Sequence, residues 1–166
     1  MVELTQEYLK SVLEYDETTG HFIWIKRTAP CVKVGEVAGG LNVHGYWRIS
    51  LFNKRWLAHR LAFLYMTGSF PKDEVDHLNH RSDDNRWCNL REVSHQENGK
   101  NQKLRRTNKS GFTGVLHDGH RWRAEITVDG KGKFLGYYDT IYGAIVARKA
   151  AEKGLGYHKN HGVSDD

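Results

Sequence analysis

The chain predicts an α+β protein in two parts. The first is built round a strand, loop, strand and helix; the second is a small antiparallel sheet of three strands backed by one helix. Three observations carry that prediction. Between Leu57 and Gln102 a helically spaced apolar run is followed by two short apolar-polar runs on either side of the polar loop HRSDDNRWC. Residues 99 to 109, GKNQKLRRTNK, hold five basic residues, no acidic ones and no apolar periodicity, so they read as an extended basic linker. Beyond them RWRAEITV alternates strictly, with SGFTGVL before it and FLGYYD and TIYGAIVARKAAEKG after it.

In chain order, residues 4 to 14 are expected to be an amphipathic helix. Thr5 caps it, Leu4 and Leu9 sit at staple positions, and Leu9, Val12 and Leu13 share a face. A DETTG turn at 16 to 20 leads into the β-rich run HFIWI, and after a loop containing Pro30 the segment GYWRISLFNKRWLAH alternates around Asn53-Lys54 as a hairpin. Trp24, Trp47 and Trp56 are expected in the core rather than stacked on a ligand, because large aromatics dominate small cores. Arg48, Lys54 and Arg55 can reach a phosphate from the hairpin. From His59 to Thr67, Leu57, Leu61, Leu64 and Tyr65 follow helical spacing and Gly68 stops the helix.

The chemistry-bearing stretch comes next. Val75 to Leu78 reads as a short strand, Leu90 to Val93 as a second, and Ser94 as the N-cap of a helix carrying Asn98. Cutting a phosphodiester needs a base to activate water and a hard cation to take up charge on the phosphoryl oxygens. His77 can be the base. Asp76 and Asn98 are a carboxylate and an amide oxygen, the ligands a magnesium-like ion accepts while it keeps waters and substrate oxygens. Taken alone, an Asp-His pair is most often a surface turn; it is the ordered set with a helical Asn that favours a one-metal phosphodiesterase centre. Asp83 and Asp84 read as turn residues that accept backbone hydrogen bonds.

With Asp76-His77, Asn89-Leu90-Arg91 and the helical Asn98 in register behind the helix HRLAFLYMTG, the segment resembles the HNH homing endonuclease family and its ββα-metal motif. The resemblance implies His77 as general base, Asp76 and Asn98 as ligands of a divalent cation, Mg2+ with Mn2+ as the alternative, and Asn89 as the brace of the loop. Two departures stand out. The residue four before Asn98 is Ser94 rather than a second His ligand, which puts the ligand set in the Asp/Asn type, and the glycine-containing turn of relatives is replaced by Leu78, Asn79 and His80. His80 and His95 rank second, as a solvated loop residue and a helix-face residue within reach of substrate.

The linker contributes Arg105 and Arg106, whose pairing with phosphates adds affinity independent of base sequence. In the last module Arg121, Arg123, Glu125 and Thr127 share one strand face, while Trp122, Ala124, Ile126 and Val128 share the other. Thr140 caps a helix whose small residues lie close on the sheet, and Gly154 ends it. The words SGFTGV, WRAEI and FLGYYDT with the alanine-rich helix resemble the plant ethylene-responsive-factor (Apetala-type) DNA-binding domain. That resemblance implies a sheet face in the major groove carrying Thr113, Arg121, Arg123, Glu125, Thr127 and Lys133. Plant members carry arginines on the first strand where this chain has Thr113 and Leu116, which implies a different base sequence or mainly phosphate anchoring.

At 166 residues the chain suits one domain or two small ones. Without an apolar run near 18 residues or a hydrophobic leader in MVELTQEYLK, the expectation is no membrane span and a cytoplasmic protein, in a bacterial host if the gene belongs to a phage or mobile element. Cys31 and Cys88 make neither a disulfide framework nor a zinc knuckle. A net charge of +5 and pI near 9.2 suit a polyanionic partner. The division expected is a nuclease module at 1–98 with its motif at 57–102, a linker at 99–109 and a DNA-docking module at 110–166. The expected activity is a metal-dependent DNA endonuclease acting on double-stranded DNA, with no protein partner evident and a homodimer left open. The rival is a DNA-binding regulator whose nuclease centre has decayed; an RNA-cleaving enzyme ranks third.

Overall fold

The computed structural model of the protein describes residues 4–105 and 107–163. They fall into two compact units, Met1–Val93 and Ser94–Asp166. Both are mixtures of short antiparallel strands and helices, the α+β class.

In the first unit, helix α1 (Gln6–Val12) starts where expected, with the Thr5 hydroxyl oxygen accepting the Tyr8 N–H at 3.2 Å. It ends before the sequence pattern does. Leu13 is already extended, at φ −132° and ψ 139°, and opens strand β1 (Leu13–Asp16), which pairs antiparallel with β2 (His21–Trp24). The reason is that Leu13 and Tyr15 bury alternate side chains with the period of a strand, and that alternation overlaps the last turn of the helical spacing. Asp16 holds the turn by accepting from the Thr18 N–H at 2.9 Å and the Thr19 hydroxyl at 2.9 Å.

A second sheet runs β3 (Gly40–Leu41), β4 (Trp47–Leu51), β5 (Lys54–Leu57). Its hairpin turns at Phe52-Asn53, one residue earlier than expected, since Leu51 pairs with Lys54. Both turn residues have positive φ, 52° and 57°, as a tight hairpin with right-twisted strands requires. Phe52 accepts that conformation because its ring packs on Tyr8, with centroids 4.5 Å apart. Helix α2 (Ala58–Thr67) follows directly and stops at Gly68, whose φ of 85° lets its N–H reach the Leu64 carbonyl.

Leu9, Leu13, Phe22, Ile49 and Leu61 are fully buried at the centre of this unit. Trp24, Trp47 and Trp56 all belong to the core, as expected. Trp24 is buried in it, Trp47 donates its indole N–H to the Ala38 carbonyl at 2.7 Å, and Trp56 stacks on Phe70 at 5.1 Å. The remaining pair of strands, β6 (Glu74–His77) and β7 (Leu90–Val93), is antiparallel with Asp76 opposite Arg91 and His77 opposite Leu90.

The second unit opens on a short helix, α3 (His95–Asn98), whose N-cap Ser94 accepts from the Glu97 N–H. Its sheet has the order β10 (Lys131–Tyr138), β9 (Trp122–Val128), β8 (Val115–His117), and α4 (Ile141–Gly154) packs on it through Ala144 against Ala124 and Val115. Thr140 caps α4 by accepting from Gly143. The 99–109 stretch, read from sequence as an extended linker, is tied into this unit instead. Backbone N–H groups of His158 and Gly162 donate to Lys100 and Gln102, and Leu104 donates to Val163. Those carbonyls and amides find their partners in 158–163, a segment with no periodic pattern to announce the pairing.

Candidate active site

The β6–β7 pairing presents Asp76 and His77 at the end of a strand, and both are buried, 7% and 6% exposed. A buried carboxylate needs a partner, and Arg91 across the ladder donates to Asp76 Oδ2 from Nε at 2.9 Å and Nη2 at 2.7 Å. The His77 ring meets the edge of His59 on α2, with centroids 5.1 Å apart and planes at 86°, and Tyr46 stands 6.2 Å away. On its other side His77 Nε2 lies 3.4 Å from Asn85 Oδ1. Burial holds the pKa of His77 below its ordinary value, against the opposing pull of the Asn85 hydrogen bond and of Asp76, Asp84 and Asp83. His59 is pulled down to about 3 by burial first, then by His77 and Arg60. Two neutral imidazoles therefore sit together at neutral pH, and His77 is in the form that accepts a proton.

The loop between the strands is held by its own amides. Asn89 donates from Nδ2 to Asn79 Oδ1 at 3.0 Å and to the Asp84 carbonyl at 2.8 Å, and its Oδ1 accepts the Asn79 N–H at 3.0 Å. Asn79 in turn donates to Asp84 Oδ2 at 2.6 Å. Arg86 grips the same carboxylate at 2.7 and 2.5 Å, and that bond chiefly holds Asp84 down to about 2. The turn that follows His77 has no glycine; His80 takes the left-handed conformation, φ 64°, and its N–H bonds the His77 carbonyl at 2.9 Å. Asp83 pairs with Arg81 at 3.2 Å.

Asn98 is half-buried on α3 and His95 is exposed beside its N-cap, both in the second unit. Among the described residues no three His, Cys, Asp or Glu side chains converge as a cage. The carboxylate of Asp76 in the first unit and the amide oxygen of Asn98 in the second are each hard donors of the kind a magnesium-like ion accepts.

Arg48 lies on the face of β4 opposite Ile49 and Leu51, with exposed Arg55 beside it across from Ser50, while Lys54 falls on the other face over the Trp56 ring at 4.3 Å. In the second unit, Arg121, Arg123, Glu125 and Thr127 lie on the sheet face away from α4, but Arg123 is paired with Glu125 at 2.6 Å and Arg121 lies over the Tyr137 ring at 5.2 Å. Two of the expected residues fall elsewhere. Lys133 pairs across from buried Ile126, which places it on the helix side of the sheet, and Thr113 is half-buried against Gly162. The register sets both, and a run of glycines and lysines carries no sign of it. Exposed Leu116, Phe134 and Tyr137 share the arginine face, since their cross-strand partners are Arg123, Glu125 and Arg123. A groove of about 820 Å³ runs in this unit between Lys100, Lys103 and Arg105 and the sheet residues Leu116, Glu125 and Thr127. Arg106 lies outside the described residues.

His59, Tyr46, Asn79 and Asn85 were not legible as site residues. The one available signal was His59, a polar side chain among the buried-face positions Ala58, Leu61 and Ala62 of α2.

Residues 57–100, 44 of the 166, match the family model described as HNH endonuclease. The match spans α2, both strands of the β6–β7 pair, their loop and α3. No curated protein matches the chain. A solved structure, "DNA binding and cleavage by the HNH homing endonuclease I-HmuI", aligns over 94% of this chain and 84% of its own length at 23% identity and a TM-score of 0.46, a superposition too loose to carry an argument.

Proposed function

We propose, from the HNH endonuclease segment at 57–100, that the chain is a divalent-metal-dependent DNA endonuclease whose general base is His77. The observation that carries this reading is the burial of His77 as a neutral imidazole, beside Asp76 and within a loop braced by Asn89. In the proposed reaction His77 takes a proton from water aimed at the phosphorus, and the phosphodiester opens with departure of the 3′-oxygen. Asp76 and Asn98 would hold the cation, which supplies stabilisation of the charge on the phosphoryl and leaving oxygens when bound. Arg91 fixes the Asp76 carboxylate, and Asn89 ties the two sides of the loop that follows His77 to one another. Double-stranded DNA is the proposed substrate, anchored by Arg48, by Arg105 and by the arginine face of the second unit, in the manner of phosphate contacts. The 110–166 region is proposed as the docking module, and a phage or mobile-element setting goes with the homing-type reading.

A second reading, a DNA-binding regulator without cleavage, is favoured by the engagement of Asp76 Oδ2 with Arg91. Incubating a plasmid with the protein in Mg2+, in Mn2+ and in chelator separates the two. The expected result is cutting that needs the ion and falls by about 100-fold or more in His77→Ala, as loss of a general base costs, with DNA affinity within a few-fold. Full cutting by His77→Ala removes that residue from the base role, and no cutting with either ion favours the regulator.

A further inference from the structure

We infer that Asn85 is the positioning residue that sets which nitrogen of His77 carries the proton, and that the N-terminal hairpin holds Asn85 in place for it. This rests on the reading of His77 as the base.

An amide oxygen only accepts hydrogen bonds, so an imidazole nitrogen facing Asn85 Oδ1 must be the protonated one. The orientation of the amide is decided by its other end. Asn85 Nδ2 lies 3.1 Å from the Asp83 carbonyl, also an acceptor only, so a flipped amide would set oxygen against oxygen. Nε2 of His77 is therefore the N–H, and Nδ1 carries the lone pair that takes a proton from water. The ring cannot swing to exchange them freely, because His59 meets it edge-on on one side and Tyr46 stands on another.

Asn85 itself is 2% exposed and is fixed from a distance along the chain. The Tyr15 hydroxyl on β1 donates to the Asn85 carbonyl at 2.6 Å, in a buried bond. Gly20, at φ 79° in the turn ahead of β2, lies so near the Asn85 and Arg86 backbone that an added Cβ would stand 2.5 Å from it. The hairpin that comes first in the sequence is thus a wall of the catalytic loop. Where an imidazole ligates a metal, loss of the outer partner that fixes its tautomer and ring angle costs about 10- to 100-fold, and a loss of the same order is expected for an imidazole acting as a base.

The test uses the full chain labelled with 15N in its histidine rings, in wild type, Asn85→Asp and Asn85→Leu. Asp keeps an acceptor at the same reach and gives up the donor to Asp83; Leu removes the acceptor. Two-bond nitrogen-proton spectra report the tautomer directly, and plasmid cleavage under saturating DNA reports kcat. The expected result is an Nε2–H tautomer for His77 in wild type and Asn85→Asp, a mixed or inverted tautomer in Asn85→Leu, and a kcat lower by about 10- to 100-fold in Asn85→Leu with unchanged DNA affinity. An Nδ1–H tautomer in wild type, or an Nε2–H tautomer that survives in Asn85→Leu, overturns the inference. The spectra judge it even where wild type fails to cut, an outcome that would sink the nuclease reading and leave the tautomer result standing. An inverted tautomer in a folded Asn85→Asp overturns the inference too.

Discussion

His59 and His77 show what burial does to an ionisable ring. With His59 held at about 3 in the folded chain and near the ordinary 6.5 when unfolded, the unfolded state binds more protons between those values. Stability is therefore complete above pH 6.5 and is lost as the pH falls toward 3, on the order of 1.4 kcal/mol for each unit below 6.5. His77, displaced in the same direction, adds a loss of the same sign. Urea midpoints measured at pH 7.5 and pH 4.5 should differ much more in wild type than in His59→Phe, where one titrating ring has gone; parallel losses would move the acid sensitivity elsewhere. At this scale the candidate base, its acidic neighbour and the brace were readable from DH and NLR, because their chemistry is local. The residues touching the base were not, because Tyr46, His59 and Asn85 reach it from other parts of the chain.

At the scale of elements, caps and turns acted where the sequence placed them. Thr5, Ser94 and Thr140 all accept from the first turn of their helices, and Gly68 ends α2. The misplacements came where two periods overlapped, at Leu13, or where a tertiary contact chose the turn, at Phe52. Gly20 tests the link between the first hairpin and the catalytic loop. Gly20→Ala meets both positive φ and a backbone neighbour at 2.5 Å, whereas Gly35→Ala meets a φ of 86° in open space. The first should cost about 2 to 4 kcal/mol and lower cleavage with it; the second should cost about 1 kcal/mol and leave cleavage intact. Equal costs in chemical denaturation would mean that the contact with Asn85 contributes nothing beyond backbone strain.

Over the whole molecule the division falls at Val93 and Ser94, so the strand pair carrying Asp76 and His77 belongs to one unit and the helix carrying Asn98 to the other. Among the described residues no helix is long and apolar enough to cross a membrane. Lys103 and Arg105 line the groove of the second unit, and cations so placed would meet phosphates without reading the base sequence. Replacing both by Ala should lower the log–log slope of DNA affinity against salt by about 2, measured by fluorescence anisotropy from 50 to 300 mM salt, roughly a span where such slopes are resolved. An unchanged slope would mean that this groove does not meet the backbone of DNA.

What the residues by themselves determined was the α+β class, the strand-loop-strand-helix order at 75–98, the Asp76-His77 pair and the alternation of β9, all set by neighbours within a few positions. Tertiary structure alone decided that Asn85 faces His77, that Arg91 binds Asp76, that 100–104 joins 158–163, and that Lys133 and Thr113 leave the arginine face. The physical reason is that caps, turns and periodicities are written in residues a turn or a strand pair apart, whereas a hydrogen bond from Asn85 or a shift of sheet register depends on where distant segments pack.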